Sequence, residues 1–265
     1  MPKVKVDGVN LYYEIHGDGF PLVMIQGLSE NVYWWDQPVI DGLSKHLKTV
    51  IFDNRGVGRS DDLVGDLTIE SMAADTLALM DALNINQAHI LGHSMGGMIA
   101  QELALKFPER VKKLVLCSTS CGGSKAEMSS IETQKILTKL SFKGHTRRLV
   151  EQAMPHVVSK KFMDENPEFI EKKIDDILII PTGPTTFKAQ MGSWMRYNSY
   201  RKLKEMDIPT LIVHGKQDIL VPPSNGDLLA AKIPNAELVY FDSNAHLIHT
   251  EEPDKFNEIL LKFLK

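Results

Sequence analysis

Short apolar runs, each bounded by Gly, Pro or Asp, alternate along most of the chain with segments whose apolar residues recur at helical spacing. That alternation marks a parallel sheet covered by helices. Strands are predicted over residues 3–7 and 9–16, joined as a hairpin around Asp7-Gly8. Others follow over 21–26, 48–53, 88–93, 111–117, 209–214 and 236–241. Residues 21–25 and 209–213 are almost wholly apolar, as strands buried on both faces must be. Amphipathic helices lie between them. Ile69, Met72, Ala73, Thr76, Leu77, Met80 and Leu83 share one face behind Thr68, a residue suited to cap the N-terminus. A last helix starts near Pro253 and carries Phe256, Ile259, Leu260, Phe263 and Leu264 on one stripe.

One region breaks the alternation. Residues 122–200 contain no convincing strand but several helical stretches rich in Lys, Glu and Met, divided by Lys143-Gly144-His145 and by Ile180-Pro181-Thr182-Gly183-Pro184. The strand–helix rhythm resumes at Ile208. The expectation is an α/β core built from residues 1–121 and 201–265, with an all-helical insertion over 122–200 sitting above one end of the sheet.

Composition narrows the function classes. Thirty basic against 34 acidic residues give a net charge of −4, with no basic excess to hold a phosphate backbone, so nucleic acid is not an expected partner. Cys117 and Cys121 are the only cysteines among 265 residues and cannot form a disulfide framework, which favours a reducing compartment. The opening Met1-Pro2-Lys3-Val4-Lys5-Val6 reads as a strand rather than a signal peptide. No run approaches the ~20 apolar residues of a membrane span. A cytoplasmic protein is expected, as a monomer or homodimer.

The sharpest chemical signal is Gly92-His93-Ser94-Met95-Gly96-Gly97, placed between a buried strand and a helix. A turn this tight needs small residues two before and two after the serine, and it lifts the hydroxyl above the sheet end. The next amide, that of Met95, then opens a helix, where negative charge is favoured. A serine needs a base. Of nine histidines, His246 follows the last strand in the loop Asp242-Ser243-Asn244-Ala245-His246, where doubly wound sheets place functional groups. His93 is expected to pack or bond locally. His249 is the rival, and a His246–His249 metal pair lacks a third ligand at suitable spacing, so no metal is expected. Asp218, on the loop after residues 209–214, fits the acid that fixes the imidazole tautomer. The loop Gln26-Gly27-Leu28-Ser29 offers the Leu28 amide as a second oxyanion donor.

With those residues in order, the chain resembles the α/β-hydrolase superfamily over essentially its whole length. Further matches are Ala104-Leu105-Lys106-Phe107-Pro108-Glu109-Arg110-Val111, Asp53-Asn54-Arg55-Gly56-Val57-Gly58-Arg59-Ser60 and His214-Gly215-Lys216-Gln217-Asp218. The resemblance implies a mostly parallel eight-stranded sheet flanked by helices, with a helical cap inserted after the sixth strand. It implies a catalytic triad of Ser94, Asp218 and His246, an oxyanion hole from the Leu28 and Met95 amides, and a structural role for residues 53–60. It implies no cofactor and a small-molecule ester or acyl substrate. The look is that of small carboxylesterases, enol-lactonases, cofactor-free perhydrolases and carbon–carbon bond hydrolases, and some proteins of this fold serve as small-ligand receptors. Two departures stand out: Gln26-Gly27 replaces the usual His-Gly, and Ala245 replaces the glycine usual before the histidine. Serine rather than aspartate at position 94 argues against epoxide hydrolases and haloalkane dehalogenases. An ordinary histidine titrates near ~6.5, so activity is expected to rise through roughly pH 6–8. An adaptable pocket is expected from Trp34, Met128, Met154, Met163, Met191, Trp194 and Met195, with Trp35 in the core.

Overall fold

A computed structural model describes residues 2–62 and 66–265; Met1, which heads the N-terminal strand reading, lies outside them. The eight predicted strands form within a residue or two of their expected bounds: β1 (Lys3–Val6), β2 (Val9–His16), β3 (Phe20–Ile25), β4 (Leu47–Phe52), β5 (Ala88–His93), β6 (Val111–Cys117), β7 (Thr210–Gly215) and β8 (Ala236–Phe241). They make one sheet in the order β1-β2-β4-β3-β5-β6-β7-β8. β1 and β2 are antiparallel to their neighbours, and every other pairing is parallel. β5 and β7, each paired along both edges, are buried at every position, as strands covered on both faces must be.

Helices cover both faces. On one, α2 (Ile69–Ala82), α3 (Met95–Lys106) and α9 (Ser224–Lys232) pack Met72, Leu79, Ile99, Leu103 and Leu229 onto Val23, Val50, Ile90 and Ile212. On the other, α1 (Gln37–Ser44), the single turn α10 (Ile248–Glu251) and α11 (Pro253–Leu264) press Val39, Leu43, Phe256 and Leu260 onto Leu22, Met24, Ile51 and Leu211. Thr68 caps α2 in a reciprocal box: its hydroxyl accepts the Ser71 amide at 3.0 Å and the Ser71 hydroxyl accepts the Thr68 amide at 3.0 Å. Pro253 occupies the first turn of α11, where its missing N–H costs nothing.

Between β6 and β7 stand five helices: α4 (Ile131–Lys143), α5 (Arg147–Val157), α6 (Lys160–Glu165), α7 (Pro167–Ile179) and α8 (Pro184–Arg196). Gly144, at φ +67°, ends α4, as its place in a breaker triplet predicts. A bridge between Gly122 and Asn198 joins the outgoing and returning chain. The insertion is tied to the core by a buried charge. Lys173 of α7 donates to Asp36 at 2.8 Å and to the Trp34 carbonyl at 3.2 Å, with its side chain almost wholly buried. Lys173→Ala would strand Asp36 beneath the insertion, and is expected to lower stability by roughly 3 kcal/mol, read from the urea midpoint. An unchanged midpoint would show that the contact carries nothing. Among the described residues no helix is long and apolar enough to cross a membrane.

The chain order reverses between β3 and β5. β4 lies on the far side of β3, while β5 and β6 run the other way, so the loops leaving β3 and β5 diverge around a crevice at the strands' C-terminal ends.

Candidate active site

Ser94 sits at that crevice, between the last residue of β5 and the first of α3. Its backbone, at φ +54° and ψ −121°, occupies a region that L-residues avoid. Neighbouring segments hold it there: the Ser94 amide donates to the Cys117 carbonyl at 2.9 Å, and the Thr119 hydroxyl donates to the Ser94 carbonyl at 2.6 Å. The flanking glycines are sterically required. A Cβ on Gly92 would collide with the Gly96 carbonyl, and one on Gly96 with the Ile25 carbonyl of β3. Met95 opens α3, so its N–H has no acceptor within the helix.

Asp218 and His246 arrive from the loops after β7 and β8, and both side chains are buried. His246 Nδ1 lies 2.7 Å from Asp218 Oδ2. Asp218 Oδ1 accepts the amides of Leu220 at 2.9 Å and Val221 at 2.8 Å, and His214 Nε2 lies 3.4 Å from Oδ2. Burial pushes the Asp218 pKa up, but the facing His246 and His214 outweigh it and hold the carboxylate well below its usual range. Asp218 therefore stays ionised. Its hydrogen bond to Nδ1 leaves His246 Nε2 without a partner, and His246 and Ser94 line the same cavity. No hydrogen bond joins Nε2 to the Ser94 hydroxyl.

The loop after β3 is held from both sides. The Gly27 amide donates to Glu30 Oε2 at 2.8 Å, and the Ser29 amide donates to Gln190 Oε1 of α8 at 2.7 Å. The intervening Leu28 amide is left between two committed neighbours. Ser29, at φ +63°, also has its carbonyl bonded by Thr182 at 2.8 Å and its hydroxyl 3.1 Å from His145 Nε2. Three parts of the insertion thus grip one strained residue. Burial pushes His145 down to about 4, so it is neutral near pH 7. The departure at Gln26 has a partner as well. With its amide oriented to satisfy both neighbours, it donates to Glu30 Oε2 at 2.8 Å and accepts from Trp35 Nε1 at 3.1 Å.

His93 does not bond locally. Its Nδ1 lies 3.0 Å from Glu30 Oε2 and its Nε2 lies 3.3 Å from the His246 carbonyl. Burial works against charge on both partners, yet the pairing prevails: Glu30 is held below and His93 above their ordinary pKa values. His249 is not joined to His246 as a ligand pair. It lies buried against Trp35 and His93, with ring centroids 4.7 and 4.9 Å away, and burial first, then the facing His93, lowers its pKa well below the usual value. Among the described residues no group of three or more His, Cys, Asp or Glu could hold a metal ion. Asp53 accepts the Val32 amide at 2.7 Å and the Arg59 amide at 2.8 Å, fixing the backbone downstream of the Leu28 loop. Burial pushes its pKa up to about 6.

The cavity that Ser94 and His246 share is apolar over most of its wall. Trp34 lines it as expected, and so does Met154, together with Leu137, Leu140, Val150 and Phe187. Trp194 borders an adjoining space that also touches Ser94, Met95 and Leu28. Four expected pocket residues lie elsewhere. Met128 and Met195 border a separate hollow with Ser120, Glu127 and Ser129, and both are exposed. Met191 faces inward between α8 and α4, against the cluster of Leu140, Leu149 and Phe187. Met163 packs within the insertion beside Val150, Ile170 and Ile174. Methionine content marked the insertion as apolar but could not give the phase of each helix. Sequence reasoning also missed Glu30 and Gln190; a polar pair near Gly27, opposite an unusual Gln26, was the available signal for the first.

A family model described as the alpha/beta hydrolase fold matches residues 21–253. A protein of Azorhizobium caulinodans that bears the name of a carbamate hydrolase, RutD, is 30% identical over 263 residues, covering 99% of this chain and 98% of that one. Among solved structures, the chain is similar to the enol-lactonase from Burkholderia xenovorans LB400, with a TM-score of 0.89, 25% identity and 99% of both chains covered. It is also similar to a thermophilic esterase from Thermogutta terrifontis, with a TM-score of 0.85, 26% identity, and 100% of this chain and 98% of that one covered.

Proposed function

Because the chain belongs to the alpha/beta hydrolase fold family, we propose that it is a serine hydrolase acting on small to medium carboxylic esters or lactones through Ser94, His246 and Asp218. The observation that carries the reading is the pairing of His246 Nδ1 with a buried, ionised Asp218, which leaves Nε2 unpartnered in the cavity that Ser94 lines. An imidazole held in that tautomer can take a proton only at Nε2. The names of the enol-lactonase and esterase neighbours point to the same bond class. The name of the RutD relative points to a carbonyl that carries nitrogen, cleaved by the same steps.

Ser94 attacks the substrate carbonyl as His246 Nε2 takes its proton. Asp218 stabilises the imidazolium, and His246 returns the proton to the departing alcohol oxygen. The Leu28 and Met95 amides receive the oxyanion, each contributing about 10²–10³ in rate. Water then attacks the acyl-enzyme with His246 again as base, releasing the acid and regenerating Ser94. Side chains and water supply every proton and electron pair. The five inserted helices act as a cap that shields this step from bulk solvent and shapes the apolar acyl pocket.

The cap also reaches the oxyanion hole. Gln190 holds the Ser29 amide, and through it the orientation of Leu28 N–H. Gln190→Ala is expected to lower kcat about 10-fold with little change in KM, because a misaimed donor is missed mainly when charge develops. A rise in KM at constant kcat would make Gln190 a binding residue instead. The function itself is tested with p-nitrophenyl esters from acetate to decanoate. Turnover of about 1 s⁻¹ or more on the best chain length is expected. Uniformly slow turnover across the series would leave a ligand-receptor role as the better account.

A further inference from the structure

Glu30 is a buried carboxylate for which the acyl-transfer steps have no direct use. Its two oxygens differ. Oε2 is saturated, facing the Gly27 amide at 2.8 Å, His93 Nδ1 at 3.0 Å and the Gln26 amide at 2.8 Å. Oε1 takes part in none of the hydrogen bonds among the described residues, although Glu30 lines the cavity with Ser94 and His246. The carboxylate is also close to the reacting centre. The point where a Gly27 Cβ would stand is 2.7 Å from Glu30 Oε2 and 3.0 Å from Ser94 Cβ, so one absent methyl group separates them.

An ionised carboxylate can only accept, and here the partner His93 keeps it charged. The cavity wall is otherwise mostly hydrocarbon, from Leu28, Trp34, Leu137, Leu140 and Val150, and its polar groups gather near Glu30, Ser29 and His145. A plain alkyl acyl group seated there displaces water from Oε1 and gives nothing back, which is costly for a charged acceptor. A substrate with an N–H or O–H beside its carbonyl restores the lost hydrogen bond.

We propose that Glu30 Oε1 is a specificity-determining acceptor, and that the site selects acyl groups carrying a hydroxyl or amide N–H within two or three atoms of the scissile carbonyl. The inference rests on the serine-hydrolase reading for its kinetic test but not for its binding test. The kinetic test compares p-nitrophenyl pentanoate with the 2- and 3-hydroxybutyrate esters, which nearly match its size. The better hydroxyacyl ester is expected to exceed the pentanoate about 10- to 100-fold in kcat/KM, the range for hydrogen bonds to a charged partner. In Glu30→Gln, which keeps a polar group there but removes the charge that strengthens the bond, that ratio is expected to fall several-fold. Overall rate will drop in the variant too, since Glu30 also holds the Gly27 loop, so the ratio is the readout.

Binding of 2-hexanone and of the similarly sized 3-hydroxy-2-pentanone and 4-hydroxy-2-pentanone to wild-type protein, followed by calorimetry, gives a reading free of turnover. A hydroxylated ketone binding several-fold more tightly supports the proposal even if no ester is hydrolysed, in which case the hydrolase reading alone fails. Equal binding, or a wild-type ester ratio near one, overturns it. If Glu30→Gln does not fold, the wild-type ratio and the binding series still decide.

Discussion

Ser94→Ala is expected to lower ester turnover by on the order of 10⁴–10⁶-fold while leaving the fold intact. The two halves of this expectation have separate causes. The backbone of residue 94 is fixed by groups outside its side chain, through the Cys117 carbonyl and the Thr119 hydroxyl, and alanine keeps the same Cβ. The hydroxyl takes part in none of the hydrogen bonds among the described residues, so its loss should change stability by less than about 1 kcal/mol. The catalytic loss is expected to be large because no other hydroxyl occupies the tip of the β5–α3 turn, beside the cavity that His246 also lines. Circular dichroism and a thermal melt, run with the p-nitrophenyl series, separate the two effects. Near-wild-type turnover in the variant would remove Ser94 from the mechanism.

Asp218→Asn should cost roughly 10³–10⁴-fold in kcat through a tautomer rather than a displaced group. Oδ1 of residue 218 accepts two backbone amides, those of Leu220 and Val221. An asparagine there must keep its oxygen toward those donors, which turns its NH₂ toward His246 Nδ1. The imidazole then accepts at Nδ1 and carries its proton on Nε2, where it can no longer take one from Ser94. KM should change little, because residue 218 lies behind the histidine and away from the cavity. Asp218 stays ionised far into the acid range, so the acid limb of the wild-type rate profile should report the imidazole and not this carboxylate. A loss of less than about 10-fold would show that His246 holds its tautomer without Asp218.

The parts of this architecture legible in the sequence are those fixed by local chemistry. Runs such as residues 209–213, short, rich in branched side chains and bounded by Pro209 and Gly215, suit two-sided buried strands, and β7 occupies almost that span. The turn at Ser94 is legible because Gly92 and Gly96 answer a collision that any side chain would create. Asp218 and His246 are legible from position, each on a loop at the functional edge of a parallel sheet. Facing directions within the insertion were not legible. Met191 and Met195 stand one helical turn apart on α8, yet the first packs inward and the second is exposed, because the neighbours of α8 come from distant parts of the chain. Glu30 and His93 are 63 residues apart in sequence, and their pairing exists only once β3 and β5 lie side by side. Gln190, more distant still from Ser29, carries no local signature.

The central claim is that Ser94 forms a covalent acyl intermediate with His246 as its base. The most direct measurement is mass spectrometry of the protein after brief treatment with a fluorophosphonate, which phosphonylates activated serines. The account predicts one adduct per chain, on the peptide containing Ser94, formed in step with loss of esterase activity and absent in His246→Ala. Labelling at another serine, or esterase activity that persists with Ser94 fully modified, would contradict it.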